Sequence, residues 1–267
     1  MADNELLIQD PEDGETQISE EKVVFKFKIE TLRIFSLCAF LVLLLVCTIL
    51  TRIYVDPVIP PETTVIYKLF GFNHACNNVD HNPSRQVAAL SIVFFSFPYC
   101  LFLFLQHLRL KMDVEEDSVP RWQLTFSKVV LPFNLYVNAI LYMWFVNTPE
   151  ISGFVPHYLP YLAFRLSLAI VAFQQVQYLR AMHKIPFGIN DVLASFYTWV
   201  LIIVSAFSQI CVLTIVFGDP ILDSKNNLEQ REIFEVLATV QTFFIFAPIV
   251  LAWDTRNRSE VNTITFM

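Results

Sequence analysis

The chain has 267 residues, of which 55% are hydrophobic and only 16% charged, and the apolar residues gather into long runs. Such a composition excludes a soluble protein of one or two ordinary domains. The net charge of −7 is concentrated near the N-terminus, and an acidic tail is drawn neither to nucleic acid nor to anionic lipid.

Residues 1–32 carry Asp3, Glu5, Asp10, Glu12, Asp13, Glu15, Glu20, Glu21 and Glu30 and almost no aromatic residue before Phe25. The pattern predicts a disordered cytosolic tail ending in a short basic run beside the membrane. Within it the stretch DNELLI fits the acidic dileucine signal, with Asp3 as the acid and Leu7 and Ile8 as the aliphatic pair. Clathrin adaptors are the partners such a signal implies.

Residues 33–253 hold six runs with the length that a spanning helix needs, Arg33–Ile53, Gln86–Leu108, Val129–Val146, His157–Leu179, Val192–Phe217 and Ile233–Trp253. The hydrocarbon core leaves backbone groups no outside partner, so these runs have to be helices. The fold class is therefore all-α, a polytopic membrane protein with six transmembrane helices. Lys and Arg number twelve in the tails and even-numbered loops against five in the odd-numbered loops. That bias puts both termini in the cytosol, with residues 254–267 as a cytosolic C-terminal tail.

Between the first two runs, residues 54–85 form the largest extramembrane segment, a lumenal loop rich in proline and polar turn residues. It is short for an independent domain. Its FNHACNNVDH stretch brings His74, Cys76, Asp80 and His81 close together in sequence; all four are residue types that ligate zinc or copper, but the spacing matches no established metal motif and a polar turn is the simpler reading. Four of the five cysteines lie in apolar runs, and the lumenal Cys76 has no intrachain partner.

The fourth run contains an arginine. Counting ~1.5 Å per residue from the lumenal end puts Arg165 ~12 Å deep, and the same arithmetic puts Asn138, Gln209 and Gln241 in the same layer. A guanidinium offers five donors and no acceptor, and side-chain amides supply carbonyl acceptors. A buried polar belt around Arg165 is thus expected, with His157 and Tyr161 on its own helix at i, i+4, i+8 spacing and Glu235 as the acid within its reach. The belt reads as interhelical glue, as a site for a lipid headgroup or other anionic ligand, or as an ion path; the lack of a second charged layer counts against the last. His157 and Asp80 are suited to share a lumenal site. No G-x-S-x-G, H-E-x-x-H or phosphate-cradling glycine loop is present, so the residues lean away from an enzyme and call for no cofactor.

The stretch NLYVNAILYMWFVNTPEISGFVPHYLPYLAF, the last apolar run IFEVLATVQTFFIFAPIVLAWD, and a histidine at the lumenal start of the fourth helix carry a likeness to known proteins. In these, and in its six-run topology, the chain resembles the Frag/DRAM/Sfk-type superfamily, which unites the DRAM autophagy modulators, the yeast Sfk-type proteins and the Golgi factor that remodels GPI anchors. The long first loop and Arg165 depart from the family pattern. The resemblance implies an endomembrane protein of the Golgi, ER, endosome or lysosome that handles membrane lipid, either in GPI-anchor remodelling or in lysosome-linked autophagy. A transporter or receptor subunit for an anionic solute, at the plasma membrane, and a structural or sorting protein without a ligand are the competing readings.

Overall fold

The structure is a computed structural model that describes residues 24–72, 77–149, 153–182, 191–218, 220–237, 240 and 262–265. Its long helices are α1 (Ile29–Leu50), α5 (Val93–Glu115), α6 (Arg121–Ile140), α8 (Phe154–Ala181) and α9 (Asp191–Val216). Shorter pieces α2 (Val65–Phe70), α3 (Asn77–Asp80), α4 (Ser84–Ser91) and α7 (Tyr142–Val146) complete one end of the bundle. A strand β1 (Val24–Phe27) pairs antiparallel with β2 (Asn262–Thr265) at the other end.

Among the described residues, five stretches are long and apolar enough to cross a membrane: Ile29–Val55, Ser84–Glu115, Arg121–Val146, Phe154–Ala181 and Trp199–Val216. Their outward faces are bare apolar surface, with Val42, Leu45, Phe94, Phe97, Val129 and Trp199 all exposed. A soluble monomer does not tolerate patches of that kind. Most of the sixth apolar run, including Gln241, Pro248 and Trp253, lies outside the described residues, as do the tail with Asp3, Leu7 and Ile8 and the loop residues His74 and Cys76.

The helices begin earlier and run longer than hydropathy alone predicts. Helix α1 starts at Ile29, and α5 continues to Glu115. Polar residues at these ends are turned inward and paired, so the helix goes on past the last apolar residue. Beyond Leu50, α1 widens into a π turn, Thr51–Val55. The Thr51 hydroxyl lies 2.7 Å from that of Ser84 and donates to the Asn78 carbonyl at 3.0 Å, while the Ser84 hydroxyl lies 3.1 Å from the Cys47 carbonyl. Hydroxyls thereby tie the end of the first helix to α3 and α4.

Helix α8 is the centre of the bundle. In its most apolar window 56% of residues are buried, against 33–39% in the other four. It packs on α6, α7 and α9, and α1 packs on α5. Phenylalanine fills the middle: the Phe40, Phe95 and Phe164 rings, one each from α1, α5 and α8, lie 5.0–5.3 Å apart. Tilted and edge-on contacts of this kind add to the area that the rings bury.

At the loop end Phe70 stacks on Phe234 at 5.7 Å and meets Phe154 edge-on. This fastens α2 to the start of α8 and to the helical residues 228–237. Asp223, in the connection that follows α9, accepts from the side-chain and backbone N–H groups of Asn226. Those bonds hold its carboxyl below the usual carboxylate range, so the turn persists at neutral pH and loosens only as pH falls through the lowered pKa.

Gly71 ends α2 with φ 77°, its carbonyl accepts from Arg231 at 3.0 Å, and a Cβ there would stand 2.6 Å from the Ser224 carbonyl oxygen. Gly218 has φ 80° but nothing within 4 Å of the Cβ position. Gly218→Ala carries only the left-handed backbone penalty of ~1–2 kcal/mol; Gly71→Ala carries that and a backbone clash. In thermal unfolding of the detergent-purified protein, Gly71→Ala is expected to lower the midpoint clearly more than Gly218→Ala.

Candidate functional site

The bundle interior carries two polar clusters, one at each end, and both use side chains of α8. At the loop end, His157 lies in the first turns of α8 and Asp80 ends α3, and both are fully buried. The His157 Nε2 atom is 3.2 Å from Asp80 Oδ1, and Nδ1 is 2.6 Å from the Asn147 carbonyl oxygen. A carbonyl can only accept, so Nδ1 carries a proton. Nε2 facing a carboxyl oxygen then requires a further proton between the two groups. The pair is either imidazolium with carboxylate or imidazole with carboxylic acid, and it is neutral as a whole in both forms.

Nδ1 is held by the Asn147 carbonyl and Nε2 faces the Asp80 carboxyl, so the ring is oriented by a protein group on each side. The arrangement is a clamp that holds the first loop and the α7–α8 corner together. His81 is half-buried, and among the described residues no three His, Cys, Asp or Glu side chains converge as a metal site would require.

Two turns further along α8, Arg165 is buried, with its guanidinium carbon 5.3 Å from the centre of the Tyr161 ring. Tyr161 in turn lies 4.5 Å from the buried Trp144. The quadrupole of the ring attracts the cation on one face, and the indole packs it in place. Thus the structure places His157, Tyr161 and Arg165 along one helix, as the spacing predicts.

The remaining residues of the expected belt are differently engaged. Asn138 is buried, but its amide donates to the Asn134 carbonyl of its own helix at 2.8 Å. Gln209, on α9, is half-buried, and its amide has no hydrogen-bond partner among the described residues. Glu235 is exposed, and Gln241 lies outside the described residues.

The second cluster, at the ribbon end, is one that the sequence reading passes over. Glu30 is completely buried, with Arg33 at 2.9 Å on one oxygen and Arg109 at 3.1 Å on the other. The Gln175 amide donates to the same carboxylate at 3.2 Å, and the Gln106 amide oxygen accepts from Arg109. Arg109 lies 4.6 Å over the Tyr178 ring, and the Tyr178 hydroxyl donates to Asp113 at 2.9 Å. One carboxylate thereby joins α1, α5 and α8. The signal was present as Glu30 and Arg33 one helical turn apart, at the point where the apolar run begins.

An all-α chain with five helices of spanning length, bare apolar outer faces and charged groups paired in its interior has the build of a multi-pass integral membrane protein. It matches no family model, no curated protein and no solved structure.

Removing one member of a buried ion set leaves the others uncompensated, at ~3–5 kcal/mol, whereas replacing the whole set by apolar residues is often neutral. Glu30→Ala is therefore expected to destabilise the protein far more than joint replacement of Glu30, Arg33 and Arg109 by Met or Leu, as read by thermal unfolding in detergent. At the other end, Asp80→Asn can still donate to a neutral His157 Nε2, but Asp80→Ala leaves that nitrogen facing nothing, a loss of ~1–3 kcal/mol. The alanine variant should unfold at a lower temperature than the asparagine variant; equal midpoints would show that the pair does not clamp the loop.

Proposed function

We propose that this protein is a six-span, non-catalytic lipid-handling protein of the Golgi, ER, endosomal or lysosomal membrane, related to the Frag/DRAM/Sfk-type superfamily. In this reading Arg165 receives the anionic headgroup of a lipid. The observation that carries the proposal is a guanidinium buried in the central helix, close to the end capped by the folded first loop and steadied by Tyr161. A planar guanidinium suits a phosphate oxygen pair better than any other protein group does.

Six spans with both ends in the cytosol draw support from the β1–β2 ribbon. It sets residues 262–265 beside the start of α1, whereas Arg231 touches Gly71 at the opposite end of the bundle. An even number of crossings accounts for both contacts, and the charge bias accounts for the direction. GPI-anchor remodelling suits a Golgi or ER location; the acidic dileucine tail, read by clathrin adaptors, suits a lysosomal one and an autophagy role.

Native mass spectrometry of the purified protein tests the binding role. Anionic phospholipid should copurify with the wild type, be reduced in Arg165→Lys and be lost in Arg165→Leu. Retention of the same lipid by Arg165→Leu, together with a raised unfolding temperature, would make Arg165 interhelical glue and sink the proposal. A C-terminal fluorescent tag with organelle markers tests location, and residence at the plasma membrane would favour the transporter or receptor reading.

A further inference from the structure

Between α5, α6 and α8 lies a cavity with about 10 Å³ of room for the centre of a water molecule. Its walls are mixed: Phe102, Leu103, Val130 and Val171 on one hand, and Gln106, Ser127, Asn134, Gln174 and Gln175 on the other. Five polar side chains around so small a space, in the interior of a helical membrane bundle, need a reason.

Two of them are left with a donor and no acceptor. Gln106 is 5% exposed and Asn134 is 0% exposed, and among the described residues neither Gln106 Nε2 nor Asn134 Nδ2 has a hydrogen-bond partner. The orientation of the Gln106 amide is fixed by chemistry. Its oxygen accepts from the guanidinium of Arg109, which can only donate, so its nitrogen must be the end left over. Asn134 Oδ1 faces the Ser167 hydroxyl at 2.5 Å; turning that amide over would change which atom is left, not whether one is. A buried amide hydrogen without an acceptor costs ordinary stability in any protein, and inside a bilayer no solvent is at hand to relieve it.

We infer that this cavity is a binding site for one ordered water molecule, whose oxygen accepts from Gln106 and Asn134. The size of the cavity decides between the acceptors that a membrane supplies. About 10 Å³ of centre volume is what one water needs, and a lipid ester carbonyl would have to bring its glycerol and chain with it. The site also meets the second requirement, two to four polar partners. Ser127, whose Oγ is 2.8 Å from His107 Nδ1, and Gln174 line the same cavity and carry oxygen atoms of the kind that accept a water's protons. Through Gln106 and Gln175, both of which bond to the Glu30–Arg109 cluster, the water becomes the inner end of that charged network. It adds a hydrogen-bonded link behind Gln106, which bonds to Arg109.

X-ray hydroxyl-radical footprinting of the full-length protein in nanodiscs tests this, because bound water generates radicals where it sits. Phe102 and Leu103 line the cavity; Phe95 and Phe164 are buried to a similar degree but do not line it. In the wild type, labelling of Phe102 and Leu103 above that of Phe95 and Phe164 is the expected result. Labelling equal to that of Phe95 and Phe164, whether from an empty cavity or from a lipid carbonyl in it, overturns the inference. Val130→Ile adds a methylene to the wall without removing a polar group and should abolish the excess labelling; an excess that survives it also counts against the site.

Discussion

A polar group inside a bilayer has only other protein groups for partners, and nearly every packing decision in this chain follows from that constraint. The polar side chains of the long helices are turned onto one another, and the helix that meets most of them, α8, is the one that ends in the middle. Along it the buried polar residues run from His157 through Arg165, Ser167, Gln174 and Gln175 to Tyr178. Its neighbours supply Asp80, Asn134, Glu30 and Asp113 to meet that series. Apolar residues remain for the outside, where lipid takes the place of a core.

The two ends of the bundle solve the same problem with different chemistry. At the ribbon end a carboxylate is shared by two guanidinium groups, and the amides of Gln106 and Gln175 use some of the remaining bonding capacity. Arginine is suited to such a place because its charge is spread over a planar group that can also lie on a ring, as Arg109 does on Tyr178. At the loop end a buried carboxyl faces a buried imidazole at 3.2 Å. Both clusters join segments distant in sequence, so both specify the assembly as well as stabilise it. The apolar rings between them, Phe40, Phe95 and Phe164, give area without direction.

The candidate site was partly legible before any fold was known. Arg165 stood out because a charge in an apolar run is costly, whereas His157 and Asp80 read as residues able to share a lumenal site, with an interfacial histidine as the simpler reading. The helical period placed Tyr161 beside Arg165. Depth along a helix, however, says nothing about azimuth. Asn138, at the depth of Arg165, bonds back to its own turn, and Glu235, one turn inside its predicted span, faces outward. Glu30 was hidden by its company: after the eight acids from Asp3 to Glu21, a ninth reads as more of the same until α1 is seen to begin at Ile29.

By itself the sequence determined the class of protein, the approximate limits of the long helices and the inward preference of their polar residues. Those depend on local quantities, namely run length, transfer free energy and a 3.6-residue repeat. Only the tertiary structure decided that α8 is central, that Glu30 lies between Arg33 and Arg109, and that His157 faces Asp80. These depend on which faces of which helices meet, and a hydrogen bond between residues 145 positions apart, as between Glu30 and Gln175, leaves no trace in the local composition around either.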